Sequence, residues 1–170
     1  MDLKINKKKF EVFLKVAEEL NRSLDIIPIL YGSLGLYKII GEYGECNDID
    51  ILVPDEFVNG KWNELINLMK KTGFELKDEY EHKFICDSEI VAFGKQDDLT
   101  KRIGLDPDNL KVSKVGGAKF KELSVEDYLF AYKLILRDSS RQEKKGKADQ
   151  EKIAMIQKYL RAKNRRINEK

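Results

Sequence analysis

Two aspartates in an otherwise apolar segment are the first residues of this chain that could carry out chemistry. They belong to the run Asp48-Ile49-Asp50-Ile51. Alternate residues of a β-strand point to the same face, so we expect both carboxylates on one face and both isoleucines on the other. Two carboxylates on one face of a buried strand repel each other and lose hydration unless a cation lies between them. The pattern therefore predicts a divalent metal site, with Mg²⁺ as the ion that Asp48 and Asp50 bind.

A glycine–serine pair precedes the aspartates and has the features of a phosphate-binding turn. Gly32 and Ser33 separate an apolar run that ends at Tyr31 from an apolar segment of helix length, residues 34–40. Glycine has no Cβ, so a phosphate can approach its backbone, and the N-terminus of a helix attracts anions. Ser33 adds a hydroxyl donor and is a good N-cap residue. A phosphate turn beside metal-binding carboxylates is suited to nucleotidyl transfer, since Mg²⁺ neutralises a triphosphate and aligns it for in-line attack.

The turn and the acidic strand together resemble the shared motif of the nucleotidyltransferase superfamily, which is typified by DNA polymerase beta and the minimal nucleotidyltransferases. The resemblance is carried by Gly32-Ser33, the following helix and Asp48-Ile49-Asp50. Fourteen residues separate the serine from the first aspartate. This spacing is more similar to the lincosamide-type antibiotic nucleotidyltransferases and to the abortive-infection toxin relatives.

The resemblance implies a mixed α/β fold and an activity. Such a protein transfers a nucleoside monophosphate from an NTP to a hydroxyl or amine on a small molecule, an RNA or a protein, with Mg²⁺ as cofactor. It implies that Gly32 and Ser33 bind the nucleotide and that Asp48 and Asp50 are the catalytic metal ligands. A different interpretation stays open, in which the two aspartates only cap or salt-bridge within an unrelated α/β fold.

Active members of the superfamily usually carry a third carboxylate on a later strand, as a metal ligand or as the base for the acceptor. The corresponding strand here is the segment 89–94, EIVAFG. If this strand aligns by its apolar centre, Ala92 occupies the acidic position. Glu89 could then substitute as the catalytic base, and Asp87 in the preceding turn is a poorer choice. If neither acts, the alternative is a catalytically worn module of the same fold that binds nucleotide or a protein partner.

The resemblance extends to two residues near the C-terminus. Lys133 and Asp149 match a lysine and an aspartate that recur in the toxin relatives, which implies that Lys133 binds nucleotide. Independently, Asp149 precedes Ile153 by four residues and so falls on the apolar face of the last predicted helix. A carboxylate there needs a partner, and Lys133 or Arg137 on the preceding helix is the expected one. A salt bridge between two helices and a role in nucleotide binding are equal alternatives.

Composition indicates one soluble globular protein. The chain has 170 residues, of which 42% are hydrophobic and 36% are charged. We expect a nucleotidyltransferase-like domain over residues 1–123 and a helical segment over 124–170 that packs on it as one compact unit. No apolar run has the length of a membrane span and no signal peptide is recognised, so we expect a cytoplasmic protein without a membrane partner. A single histidine, His82, argues against a histidine-rich zinc site.

The C-terminal end is basic. Residues 141–170 contain eleven Lys or Arg and four Asp or Glu, a net charge of +7 that leaves −5 for residues 1–140. Such an end can favour polyanions such as nucleotides or RNA, although a solvated helix with a basic tail explains the same charges.

Hydrophobic periodicity and turn residues predict the elements that position these groups. The class is α/β (α+β), with a mixed central sheet and flanking helices. The predicted helices are 7–21, 34–40, one near 62–69 that Gly73 ends, 96–104, 125–136 and 148–162, with a charged loop over 141–147. Ser124, with Asp127 three residues later, is expected to cap the helix 125–136. The predicted strands are 26–31, 48–53, 74–77, 81–86, 89–94 and a hairpin of 110–115 and 118–123 around Gly116-Gly117.

Overall fold

The computed structural model of the chain describes residues 3–169. Its contacts divide the chain into a first unit that ends at Leu123 and a second unit that begins at Ser124. Within the described range, no helix combines the length and the apolar character needed to cross a membrane.

The first unit alternates helices and strands around one sheet. Its elements in chain order are α1 (Leu3–Leu24), β1 (Ile29–Tyr31), α2 (Gly32–Ile40), β2 (Ile49–Val53), α3 (Trp62–Lys71), β3 (Glu75–Asp78), β4 (Lys83–Cys86), β5 (Glu89–Lys95), α4 (Asp97–Ile103), β6 (Lys111–Val115) and β7 (Ala118–Glu122), with short 3-10 helices at Asp55–Val58 and Pro107–Asn109.

The sheet is mixed, with seven strands in the order β3-β4-β5-β2-β1-β7-β6. Strand β2 runs parallel to β5, and β1 runs parallel to β7, whereas the other neighbouring pairs are antiparallel. The mixed α/β class expected from the sequence is therefore confirmed. The central place of β2 between β1 and β5 matters for function because this strand carries Asp50.

Helix α1 covers one face of the sheet. Its side chains Phe13, Val16 and Leu20 are fully buried, and the ring of Phe13 meets that of Phe120 on β7 edge-on at 5.1 Å. Burying such large apolar side chains contributes on the order of 2 kcal/mol each. Strand pairing then determines what lies on the other face, because paired residues point the same way and successive residues alternate.

The second unit is a helix pair, α5 (Val125–Ile135) and α6 (Ser139–Asn168). The predicted cap of α5 is confirmed: the Asp127 amide donates to the Ser124 hydroxyl, and the Asp127 carboxylate accepts from the Ser124 amide. Asp138 caps α6 by accepting from the amide of Ser140.

Local details differ from the predictions, among them the start of α6, the cap of α2 and the start of β1. The charged segment 141–147 is helical, so α6 begins nine residues earlier than expected at Ser139. Its lysines, glutamate and glutamine are good helix formers, and Asp138 supplies an earlier N-cap. Helix α2 begins at Gly32 with no side-chain cap, so the prediction that Ser33 is its N-cap is wrong. Strand β1 starts at Ile29 rather than at residue 26.

Candidate functional site

Asp48 and Asp50 lie where β2 begins, on the face of the sheet opposite α1. Asp50 pairs with Tyr31 on β1 and with Ala92 on β5, and all three are half-buried. Asp48 precedes the strand by one residue, and its side chain is 26% exposed. The Asp48 carboxylate contacts Lys83, whose row of strand pairs includes Asp50, so both aspartates lie on this face, and neither is fully buried.

Gly32 brings the N-terminus of α2 against Asp50. Its φ of +67° lies in the left-handed region that disfavours side chains. A Cβ at this position would also overlap Oδ2 of Asp50, so the carboxylate lies directly against the backbone of the turn. Ser33 follows as the second residue of α2 and is half-buried. The structure thus brings together the predicted phosphate turn and one predicted metal ligand.

Lys83 is a site residue that the sequence did not reveal. It pairs with Ala92, which pairs with Asp50, so the three residues form one row across the sheet. Its Nζ lies 3.3 Å from Oδ2 of Asp48 and 2.6 Å from Oε2 of Glu81. The hydrogen bond to Glu81 and then the one to Asp48 raise the pKa of Lys83, against the lowering effect of burial. The side chain therefore stays a cation. Only the strand register, which is not a local property of the sequence, reveals this position.

Strand β5 provides no third carboxylate next to Asp50. Ala92 stands opposite Asp50, as the alignment by the apolar centre of the strand anticipated. Glu89 precedes Ala92 by three residues on β5 and shares a face with Val91 and Phe93, the face covered by α1. The expectation for Glu89 is corrected here: its side chain lies on the opposite side of the sheet from Asp50.

Glu89 has a structural environment of its own. Its carboxylate accepts a hydrogen bond from Lys9 of α1 at 2.7 Å, and the two side chains are 9% and 7% exposed, respectively. Lys8 lies 3.4 Å from the other carboxylate oxygen. Glu89 is therefore a buried residue and not a solvent-facing one. A buried carboxylate that is paired with a buried ammonium holds α1 against β5.

The two aspartates are suited to bind a metal ion whose other ligands come from a nucleotide and from water. Across residues 3–169, no three acidic, histidine or cysteine side chains come together as a ligand set. Mg²⁺ needs no such set, since proteins often hold it through one or two carboxylates while substrate phosphates and waters supply the other oxygens. Asp48 and Asp50 would provide those carboxylates beside the Gly32 turn.

The remaining predicted residues lie in the second unit. Lys133 is exposed on α5. Asp149 is fully buried on α6, as its place on the apolar face indicated, but its partner is Arg141 rather than Lys133 or Arg137. Arg141 donates from Nε at 2.8 Å and from Nη2 at 3.2 Å. The early start of α6 explains the difference, because it places Arg141 about two helical turns before Asp149.

Comparison with known proteins identifies a relative in sequence and solved structures with a similar fold. No protein-family model matches the chain. It is 38% identical over 154 residues to the uncharacterized protein YnaI of Bacillus subtilis strain 168, a match that covers 91% of this chain and 99% of YnaI.

Solved structures of two proteins resemble this one. An antigenic nucleotidyltransferase-like protein from Paracoccidioides brasiliensis superposes with a TM-score of 0.58 at 15% identity, over 88% of this chain and 75% of that one. ANT(2'')-Ia, solved in complex with adenylyl-2''-tobramycin, superposes with a TM-score of 0.53 at 10% identity, over 95% and 94% of the two chains. At such identities the similarity shows the fold. The chain therefore belongs to the same family as YnaI of Bacillus subtilis, and its fold is that of the nucleotidyltransferase superfamily.

Proposed function

We propose that this protein binds an NTP with Mg²⁺ at the Gly32 turn and transfers its nucleoside monophosphate to an acceptor, whose attack on the α-phosphorus breaks the bond to the β-phosphate and releases pyrophosphate. The observation that carries the proposal is the contact between the Asp50 carboxylate and the backbone of Gly32 at the N-terminus of α2. Asp48 faces the same side of the sheet. An anion-binding helix end next to two carboxylates makes sense when a cation and a polyphosphate bind together.

Each residue has a specific task in this proposal. Asp48 and Asp50 hold the metal, and Ser33 donates its hydroxyl to a phosphate oxygen. The amides at the start of α2, whose dipole favours negative charge, bind another phosphate oxygen beside the Asp50 carboxylate. Mg²⁺, when bound, neutralises the triphosphate and aligns it for in-line displacement. Lys133 remains our candidate for a further nucleotide contact.

The acceptor is an amine or hydroxyl on a small molecule, an RNA or a protein. Glu89 does not activate it in this proposal, because its carboxylate is bound to Lys9 on the other face of the sheet. A small molecule is the first acceptor class to test, since ANT(2'')-Ia was solved with an adenylylated tobramycin. RNA is the second, since residues 141–170 carry a net charge of +7.

A second candidate function is nucleotide binding without turnover, by a worn module of the same fold that serves a protein partner. The specific observation in its favour is Ala92, which stands beside Asp50 where active members usually carry a carboxylate. This candidate keeps the roles of Gly32, Ser33, Asp48 and Asp50 in binding and assigns none of them to catalysis.

A transfer assay separates the two candidates. Purified protein is incubated with each α-³²P-labelled NTP and Mg²⁺, together with pooled aminoglycosides and lincosamides, total RNA or cell extract. We expect label to move from the NTP to an acceptor, and Asp48→Asn to lower the rate at least 100-fold, since metal-assisted charge stabilisation is worth several kcal/mol. The matched control is Asp98→Asn, a half-buried aspartate in the first turn of α4, which should label at the wild-type rate. Nucleotide binding without label transfer to any of these acceptors would favour the non-catalytic module.

A further inference from the structure

We propose that Lys83 is a phosphate-binding residue, which neutralises Asp48 in the absence of metal and shifts to the nucleotide phosphates when a metal takes the Asp48 carboxylate. The inference rests on the proposed function, and it concerns a residue on β4 that the shared motif does not include.

The path from Lys83 to Asp48 exists because Ala92 lies between them. Neighbouring strands are about 4.8 Å apart, so a residue on β4 must reach over β5 to meet a group at the start of β2. Lys83 pairs directly with Ala92, whose side chain ends at Cβ. Because the alanine side chain ends there, the lysine side chain has room to bring Nζ to 3.3 Å from Oδ2 of Asp48. An alanine at the position where active members of the superfamily usually carry a carboxylate thus goes together with an ammonium beside Asp48.

The Lys83 ammonium has a negatively charged partner both in the metal-free site and in the site with metal and nucleotide bound. Asp48 and Asp50 bring two negative charges to one face, and Lys83 offsets one of them. A metal ion that binds the same Asp48 oxygen competes with this ammonium, because two cations repel at that distance. Once displaced, the ammonium stands beside a bound triphosphate, to which a lysine binds as a compact point charge.

Lys83 is able to make this move. Its side chain is 28% exposed, and its second partner, Glu81, is 52% exposed. Releasing Asp48 therefore needs no change in the core. A long, flexible stem with three donors on its ammonium can keep one contact with Glu81 while it turns to a phosphate.

The test measures the affinities for a cation and for a polyanion, which the loss of Lys83 should change in opposite directions. Mn²⁺ alone is titrated and free Mn²⁺ is followed by its EPR signal, and inorganic triphosphate is titrated by calorimetry in saturating Mg²⁺, the state in which a metal occupies Asp48. We expect Lys83→Met to bind Mn²⁺ about tenfold more tightly, since roughly 1.4 kcal/mol of repulsion is removed. The same variant should bind triphosphate about tenfold more weakly. Lys83→Arg, which keeps the charge, should restore triphosphate binding. Lys77→Met, an exposed lysine on β3, is the matched control and should change neither affinity.

Opposite shifts for the two ligands support the role, because a purely structural lysine would move both affinities the same way or not at all. Unchanged or weaker Mn²⁺ binding by Lys83→Met overturns it, as does unchanged triphosphate binding. Asp48→Asn separates this failure from a failure of the metal site. If that variant loses Mn²⁺ while Lys83→Met behaves like wild type, the metal site stands and only the inference about Lys83 fails.

Discussion

Glu89→Ala is expected to lower the free energy of unfolding by about 3 kcal/mol, because removing one partner of a buried ion pair leaves the other charge buried and uncompensated. Here the charge that remains is that of Lys9, whose side chain is 7% exposed and whose Nζ lies 2.7 Å from the Glu89 carboxylate. Urea denaturation followed by circular dichroism measures the loss. Label transfer per folded molecule should stay at the wild-type level, since the carboxylate lies on the opposite face of the sheet from Asp50.

Two controls identify the cause of that loss. The double variant Lys9→Met/Glu89→Leu removes both charges and should recover most of the stability, because replacing a whole buried pair by apolar groups is often neutral. Glu75→Ala, an exposed glutamate on β3, should change stability by no more than about 0.5 kcal/mol. A stable Glu89→Ala protein that has lost transfer activity would instead make Glu89 a catalytic residue.

Gly32→Ala should destabilise the protein by about 2 kcal/mol and weaken triphosphate binding more than tenfold. The left-handed conformation at φ +67° costs on the order of 1 kcal/mol for a residue with a side chain. The added methyl group also overlaps the Asp50 carboxylate, which must move away from the turn. Urea denaturation gives the stability, and calorimetry with inorganic triphosphate gives the affinity.

Gly41→Ala is the matched control, because Gly41 ends the same helix with nearly the same φ of +69° and has open space where a Cβ would be added. It carries the conformational cost alone, about 1 kcal/mol, and should leave triphosphate binding unchanged. Equal effects of the two substitutions on binding would show that the contact between Gly32 and Asp50 does not form the site.

The parts of the fold that follow from local patterns were predictable from the sequence. The Gly116-Gly117 turn joins β6 to β7 as expected, and Ser124 caps α5 through the predicted box with Asp127. The strand with the two aspartates and the turn at Gly32 were also predictable, because side-chain alternation and the conformational freedom of glycine depend on only a few neighbouring residues.

Strand register and long-range pairing partners could not be predicted from local sequence patterns. A shift of one residue in strand register reverses the face of every side chain on the strand. The prediction that Glu89 lies on a strand therefore does not tell on which face of the sheet its side chain lies. Its partner Lys9 is 80 residues away in the chain. Lys83 likewise becomes a site residue only through the pairing of β4 with β5 and of β5 with β2. The positions of both Glu89 and Lys83 thus depend on pairing between residues that are far apart in the sequence.

Isothermal titration calorimetry with non-hydrolysable NTP analogues measures most directly whether Asp48 and Asp50 bind a metal–nucleotide complex at the Gly32 turn. Each of the four analogues is titrated into wild type, Asp50→Asn and the control Asp98→Asn, first with Mg²⁺ and then with EDTA. At least one analogue should bind wild type and Asp98→Asn with Mg²⁺, and both EDTA and Asp50→Asn should weaken that binding at least tenfold. Binding that is unaffected by EDTA and by Asp50→Asn, or no binding of any analogue, would contradict a metal–nucleotide site.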